Sequence, residues 1–301
     1  MDRRIFWYEF LILWGIVMVG DAIQLLLVRV PPAFLATQLY FPLHPESSAA
    51  IWITYIVQVG IQFAIATAVG LWAAHRIGLG TPVLEAWLQK RPVRPSLRAL
   101  LLPVIGTALL LSVFSNLPDF STFHPNRKQR TVEVTAFFET DKGRMLEEQL
   151  DKLEPPPRRL TVVSQTLSYA ESAVSSGIYG QLFMVSIFVL LALQIRKTRG
   201  LGSDTKVFWA GIVIVTAIRA IGLIVRQLTP SQIDQTMLAV FPNHRDPFLL
   251  VAARGLLPMI PSSLSLGWLY VRYGLEAAIL AGFMASVLGY LMFVHVFVHL
   301  V

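Results

Sequence analysis

The sequence predicts an all-α fold, a polytopic transmembrane helix bundle of about seven spans. Of the 301 residues, 55% are hydrophobic and only 14% are charged, and the mean hydropathy is +0.61. Soluble domains are much less apolar than this. The apolar residues also gather into segments of about 20, the length of helix that crosses a hydrocarbon core roughly 30 Å thick.

The spans follow one another along the whole chain. The first begins just after Met-Asp-Arg-Arg and runs too long for a signal peptide, so it is predicted to be a retained helix. The second contains no charged residue. The spans are predicted at residues 5–28, 47–74, 99–118, 172–195, 207–224, 247–271 and 274–299.

The charges in the loops predict the orientation of the bundle. Lys and Arg cluster at the N-terminus and in the loops after spans two and four, whereas residues 30–46 and 228–244 contain none. Positive residues mark the cytoplasmic side of a membrane. The N-terminus is therefore predicted to be cytoplasmic and the C-terminus to lie outside. This pattern also accounts for the formal net charge of +7, so the predicted partner is the lipid bilayer and not nucleic acid.

Two regions are predicted within the chain. Residues 1–74 supply two N-terminal transmembrane helices, and residues 75–300 supply a helical core with an extramembrane loop at about 119–165. In that loop, residues 131–138 alternate like a strand and residues 141–154 have the pattern of a short polar helix. The loop is interpreted as a small cap on the outer face, with a partner-binding module as the alternative.

Cysteine and histidine give little support for a metal site. There is no cysteine, which excludes disulfides, a thiolate nucleophile and cysteine-ligated metals. His295 and His299 share a helical face at the spacing of zinc ligands, but no third ligand accompanies them. They are interpreted as interfacial residues, and neither a metal nor a cofactor is predicted.

Ionisable groups inside a membrane are costly, so they are candidates for function. Asp21 lies deep in the first span and Arg219 lies well inside the fifth. The two side chains are hypothesised to pair, because each would lower the cost of burying the other. The alternative is that Arg219, on the same helix as Arg226, reaches water.

Two further acidic residues are interpreted as interfacial. Glu276 follows Arg272 at the i, i+4 spacing that favours an ion pair on a helix surface. Glu171 precedes the fourth span by one residue.

Four stretches of the sequence, taken in order, form a characteristic set. They are HRIGLGTPVLEAWL at 75–88, SGIYGQLFMVSIFVLLAL at 176–193, WAGIVIVTAIRAIGLI at 209–224 and LGWLYVRYGLEAAILAGFMAS at 266–286. The last is the most specific, because it combines GWLY with GLEAA. Together they resemble segments of the CPBP family of CAAX proteases and bacteriocin-processing enzymes.

The resemblance implies an intramembrane endopeptidase in which a glutamate activates water, assisted by histidine and by Asn or Asp. The residues that stand at those positions here lack that chemistry: none of them is a carboxylate or an imidazole, so none can act as a general base. Arg219 stands where the family has an aromatic residue. The motif-equivalent positions are Gly180 and Gln181 for the paired glutamates, Val185 for the motif arginine, Leu223 for the second-motif histidine, and Gly282 and Ser286 for the third-motif histidine and Asn or Asp.

The leading functional prediction is therefore a pseudoprotease of the bacterial plasma membrane that binds or holds a membrane segment or a partner protein. It expects Gly180, Leu223 and Gly282 to meet in a dry, closely packed seam of small residues. It also requires that no carboxylate share a polar cavity with a histidine between the spans.

Two other functions stay open. The first is a working CPBP-type endopeptidase in which Glu171, His295 or His299 substitutes for the missing residues. The second is a small transporter or a lipid-binding protein. Its polar lining would come from Asp21, Gln24 and Arg219.

Overall fold

The computed structural model describes residues 3–28, 48–116, 139–145, 162–199, 204–228 and 248–292, and most of them are helical. The predicted all-α fold is thus confirmed for the described residues. The helices are α1 (Arg3–Val28), α2 (Ser48–Arg76), α3 (Pro82–Leu88), α4 (Arg94–Asn116), α5 (Val162–Ser176), a π-helical segment (Gly177–Val185), α6 (Ser186–Arg199), α7 (Asp204–Leu228), α8 (Phe248–Tyr273) and α9 (Leu275–Met292).

Four helices in the described part of the chain are long and apolar enough to cross a membrane. They correspond to the predicted first, second, fourth and fifth spans, and their apolar lengths are Arg3–Ile23, Ala49–Arg76, Thr166–Lys197 and Lys206–Val225. Two shorter apolar helices, Leu100–Phe114 and Leu275–Leu291, lie within the predicted third and seventh spans. The total of seven spans and their orientation stay predictions.

The π-helical segment, Gly177–Val185, lies at the centre of the bundle. It continues from α5 into α6, and it packs against α2, α7, α8 and α9. Around it, α4 packs on α8 and α9, while α1 packs on α2 and α5. A π-helix is rare at this length and is frequently found at functional sites. The segment contains three of the six motif-equivalent positions, so it sets the geometry of the site.

Small residues allow the helices to approach the π-helical segment closely. A Cβ atom on Gly177 would lie 2.5 Å from Cγ1 of Ile279 in α9. A Cβ atom on Gly70 in α2 would lie 2.9 Å from the backbone carbonyl carbon and oxygen of Leu182. In lipid, where apolar burial gives no driving force between helices, this close packing is what holds them together.

The close approach at Gly70 gives a testable prediction. Replacing Gly70 by Ala is expected to destabilise the protein by about 1–3 kcal/mol, since the rigid backbone of Leu182 cannot move aside for the added methyl group. Gly15→Ala is the matched control, because nothing lies within 4 Å of its Cβ position in α1. That variant is expected to be neutral or more stable by up to about 1 kcal/mol, through helix propensity. Unfolding in mixed micelles would measure both, and equal effects would contradict the proposed contact.

The predictions for the outer loop fall mainly outside the described residues. The strand predicted at 131–138 and most of the helix predicted at 141–154 lie there, as do His295 and His299. Residues 141–145 are helical, as predicted. The N–H of Gly143 donates to Oγ1 of Thr140, 3.1 Å away, at the start of this helix.

Candidate functional site

The motif-equivalent positions in the π-helical segment are closely packed. Gly180, Gln181 and Val185 are all buried. The guanidinium of Arg219 lies directly over Gly180, with its Cζ atom 2.9 Å from the position of a Cβ atom there. A longer side chain at position 180 would have to displace this guanidinium. Where the resemblance places a glutamate, the structure thus places a cation above a glycine.

Gln181 is the one polar side chain among these three positions. It is only 2% exposed, and its Oε1 atom has no hydrogen-bond partner within the described part of the structure. An amide cannot serve as a general base. The motif-equivalent positions of the π-helical segment therefore offer no group that could activate water.

Gly282 and Ser286 lie on α9 and face a cavity of about 330 Å³. The Ser286 hydroxyl donates to the carbonyl of Gly282, 3.0 Å away. The described residues that line this serine-lined cavity are all uncharged: Leu111, Ser172, Ala173, Ser176, Pro258, Met259, Ser262, Leu266, Gly282, Ala285 and Ser286. Of the three residues expected to meet in a dry seam, Gly282 lines this cavity, whereas Gly180 does not and is covered by the guanidinium of Arg219. Leu223 lies on α7, is half-buried and does not line the cavity.

The hypothesised ion pair between Asp21 and Arg219 is not formed. Arg219 lies against Gly180, whereas Asp21 follows Gly20, whose Cβ position is 3.3 Å from Cγ of Glu171. Among the described residues, no ion pair joins Asp21 to Arg219. Neither side chain lines the serine-lined cavity.

Glu171 also has a local partner. The hydroxyl of Ser175, one helical turn later in α5, donates to its carboxylate. Glu171 does not line the serine-lined cavity that Gly282 and Ser286 face.

The prediction of an ion pair between Arg272 and Glu276 was wrong. Oε1 of Glu276 instead accepts hydrogen bonds from the backbone N–H groups of Val83 (3.1 Å) and Leu84 (2.9 Å), in the first turn of α3. The N–H groups of the first helical turn have no partners within the helix, so a carboxylate can satisfy them, and the helix dipole favours its negative charge there. Arg272 is exposed, and within the described residues no ion pair links it to Glu276.

Removing this cap is expected to weaken the attachment of α3. Glu276→Ala should destabilise the protein by about 1–2 kcal/mol, the usual effect of losing an N-cap acceptor. Glu276→Gln keeps one oxygen acceptor, so it should lower the free energy of unfolding by less than half as much as Glu276→Ala. Hydrogen exchange of the Val83 and Leu84 amides would show whether the effect is local. Unchanged protection in Glu276→Ala would contradict the capping role.

A second polar centre lies at the end of α2, away from the motif-equivalent positions. Oε2 of Glu9, on α1, is 2.8 Å from Nε2 of His75, in the last turn of α2. The hydroxyl of Thr81 donates to the other oxygen of Glu9, 2.7 Å away. Glu9 and Thr81 are fully buried, and His75 is partly exposed. Both carboxylate oxygens are therefore held in place by neighbours from two later segments.

Glu85 completes this centre. It lies on α3, and a carboxylate oxygen of Glu85, one of Glu9 and a ring nitrogen of His75 are all within 4.8 Å of one another. Burial and the negative charge of Glu9 together raise the pKa of Glu85 above its ordinary value. His75 and Glu85 line a cavity of about 500 Å³, which Tyr270 and Arg272 also border. We call Glu9, His75 and Glu85 the Glu–His–Glu cluster.

Sequence reasoning missed the Glu–His–Glu cluster. Its members come from three separate segments and have no recognisable spacing, since Glu9 and His75 are 66 positions apart. The sequence does contain one signal for this cluster, which is Glu9. An ionisable residue in an apolar span is a candidate for function, as Asp21 is.

The cluster bears directly on the inactive-protease interpretation. That interpretation requires that no carboxylate share a polar cavity with a histidine between the spans, and His75 and Glu85 do share one. The requirement therefore fails at the end of α2. A more limited statement is supported: the described motif-equivalent positions carry no catalytic base.

No protein-family model, no curated protein and no solved structure matches this chain.

Proposed function

We propose that this chain is a plasma-membrane protein of seven spans, with a cytoplasmic N-terminus, that binds a transmembrane segment of a partner protein against the serine-lined cavity, with side chains of the partner entering it, without cleaving the partner. The observation that carries the proposal is the lining of that cavity, which combines small side chains and hydroxyls with no ionisable group among the described residues. The resemblance to intramembrane endopeptidases supports a substrate-like occupant, and the lack of a base at the described motif-equivalent positions supports binding without hydrolysis at this cavity.

The walls of the serine-lined cavity have the spacing that favours helix association in lipid. Ser172 and Ser176 lie four residues apart on α5, and Gly282 and Ser286 lie four residues apart on α9. Pairs of small residues at this spacing let a second helix backbone approach closely, and their hydroxyls can hydrogen-bond to it. Ser172 and Ser176 are exposed, so the cavity is accessible from outside the bundle. A transmembrane helix with small residues of its own fits this surface.

Site-specific crosslinking in native membranes tests the proposal. A photoreactive residue at position 176 in the full chain is expected to give one discrete adduct with an uncleaved membrane protein. Ser286→Trp should abolish the adduct, because the indole fills the space next to Gly282. Leu102→Trp is the matched control, since Leu102 is 84% exposed on α4 and does not line the cavity.

The outcomes of this experiment distinguish binding of a partner protein from contact with lipid and from cleavage. An adduct that survives Ser286→Trp, or that contains only lipid, would overturn the proposal. So would an adduct whose partner is cut within its membrane segment. The melting temperatures of both tryptophan variants must match that of the parent protein, which shows that a lost adduct is not caused by unfolding.

A second candidate function is hydrolysis at the Glu–His–Glu cluster. The observation that favours it is the hydrogen bond between Glu9 and His75 beside an open cavity, because a carboxylate that orients an imidazole is a recurring arrangement in general-base catalysis. Purified protein in liposomes would then cleave membrane-anchored peptides or esters. His75→Gln should abolish that activity while leaving the crosslink at position 176 intact.

A further inference from the structure

We propose that Glu9, His75 and Glu85 form a binding site for one divalent metal ion, with zinc as the best-suited ion. The proposal is independent of the function proposed for the serine-lined cavity, because the two sites share no residue. It assigns a ligand to a cluster for which the sequence predicted none.

The donor set suits zinc. It offers two carboxylates and one imidazole, and zinc binds both Glu oxygen and His nitrogen. Three protein ligands leave a fourth, open position for water, as in catalytic zinc sites. Zinc bonds of about 2.0–2.2 Å place tetrahedral ligand atoms about 3.3–3.6 Å apart. The three ligand atoms here lie within 4.8 Å of one another, so rotamer adjustments of tenths of an ångström to about 1 Å suffice.

The surroundings of Glu9 match those of a metal ligand. Thr81 donates to one carboxylate oxygen at 2.7 Å and leaves the other directed at His75. Such a hydrogen bond to the outer oxygen fixes a ligating carboxylate and strengthens the site. Glu9 is also fully buried, and a buried carboxylate needs a cation or a proton donor close to it. A metal ion would replace the proton between Glu9 and His75 and release it to water.

The cavity beside the cluster supplies what a bound ion would still need. His75 and Glu85 form part of the wall of a space of about 500 Å³, which is large enough for water ligands and for an access route. Glu9 stands behind them, on the buried side. This places the open coordination positions of the ion toward the cavity.

Metal binding is tested on the tag-free full chain in detergent, after treatment with a chelator. Titration calorimetry and elemental analysis are expected to show one zinc per chain. Cobalt(II) added in place of zinc should give the intense visible bands of a four-coordinate site. This measurement needs no variant, so folding defects cannot confuse it. Failure to retain zinc, together with cobalt(II) spectra like those of the free ion, would overturn the proposal.

Variants then locate the ion. Glu85→Gln is expected to weaken zinc binding at least tenfold, and its partly exposed position in α3 makes it the mildest change to the cluster. Glu171→Gln is the matched control, because this carboxylate belongs to a different group and should leave the affinity unchanged. A double change of His295 and His299 to Gln should also leave it unchanged. If that double variant loses zinc, or if Glu85→Gln does not weaken binding, the proposal is wrong.

Discussion

Replacing Glu9 by Ala is expected to destabilise the protein by about 3–5 kcal/mol, the typical effect of removing one partner from a buried, hydrogen-bonded charged group. The change leaves the hydroxyl of Thr81 without its acceptor and the ring of His75 without its partner. It also leaves a cavity in the space of a fully buried side chain. Reversible unfolding in mixed micelles would measure the loss.

Two comparisons make this prediction specific. Glu9→Gln keeps the size of the side chain and one oxygen acceptor, so its effect should be smaller than that of Glu9→Ala. Glu139→Ala removes an exposed carboxylate and should change stability by less than about 0.5 kcal/mol. If Glu9→Ala were as stable as Glu139→Ala, the hydrogen bonds around Glu9 would contribute nothing to the fold.

Gly274→Ala is expected to destabilise the protein by about 3 kcal/mol, the sum of backbone strain and overpacking. Gly274 joins α8 to α9 with a φ of +98°, which disfavours any residue with a side chain. An added Cβ atom would also stand 2.6 Å from Cγ of Pro82 and closer still to its Cδ. The proline ring begins α3 and is itself held by neighbouring contacts, so it cannot move away without shifting the helix.

Gly78→Ala separates the two contributions. Gly78 also has a positive φ, of +73°, but nothing lies within 4 Å of its Cβ position. Its replacement by Ala should destabilise the protein by about 1–2 kcal/mol through backbone strain alone. The difference in unfolding free energy between the two variants therefore measures the contact with Pro82. Equal values would show that this contact is not tight.

The helices could be predicted because each depends on a local property of the sequence. The spans were predicted from apolar segments of sufficient length. For example, the predicted fifth span at 207–224 lies within α7, Asp204–Leu228. The short helix α3 was not predicted, although the proline at its start and the glycine between α8 and α9 follow the usual rules for helix ends. The π-helical segment was not predicted, because its wider turn depends on packing against α2 and α9 and not on a pattern of residue types.

The polar contacts could not be predicted in the same way. Spacing along one helix suggested Arg272 as the partner of Glu276, whereas the actual partners are backbone groups about 190 positions earlier in the chain. For the same reason, the hydrogen bond between Glu9 and His75 could not be predicted from spacing. Helical spacing reports only neighbours on one helix, and contacts between helices depend on how the bundle is assembled. Arg219 illustrates this point, because its position over Gly180 follows from the packing of α7 on the π-helical segment.

The short stretch at residues 80–84 is held from both ends of the chain. Glu9, from the first helix, binds Thr81, while Leu275 donates to the carbonyl of Gly80, 3.1 Å away, and Glu276 caps the helix that follows. A chain shortened to begin at residue 75 keeps the later contacts but lacks the carboxylate that Thr81 and His75 share. Moving only the first two helices to another protein keeps Glu9 with His75 but separates both from Thr81 and Glu85. Any exchange of segments between this protein and another should therefore transfer residues 3–28 and 75–88 together.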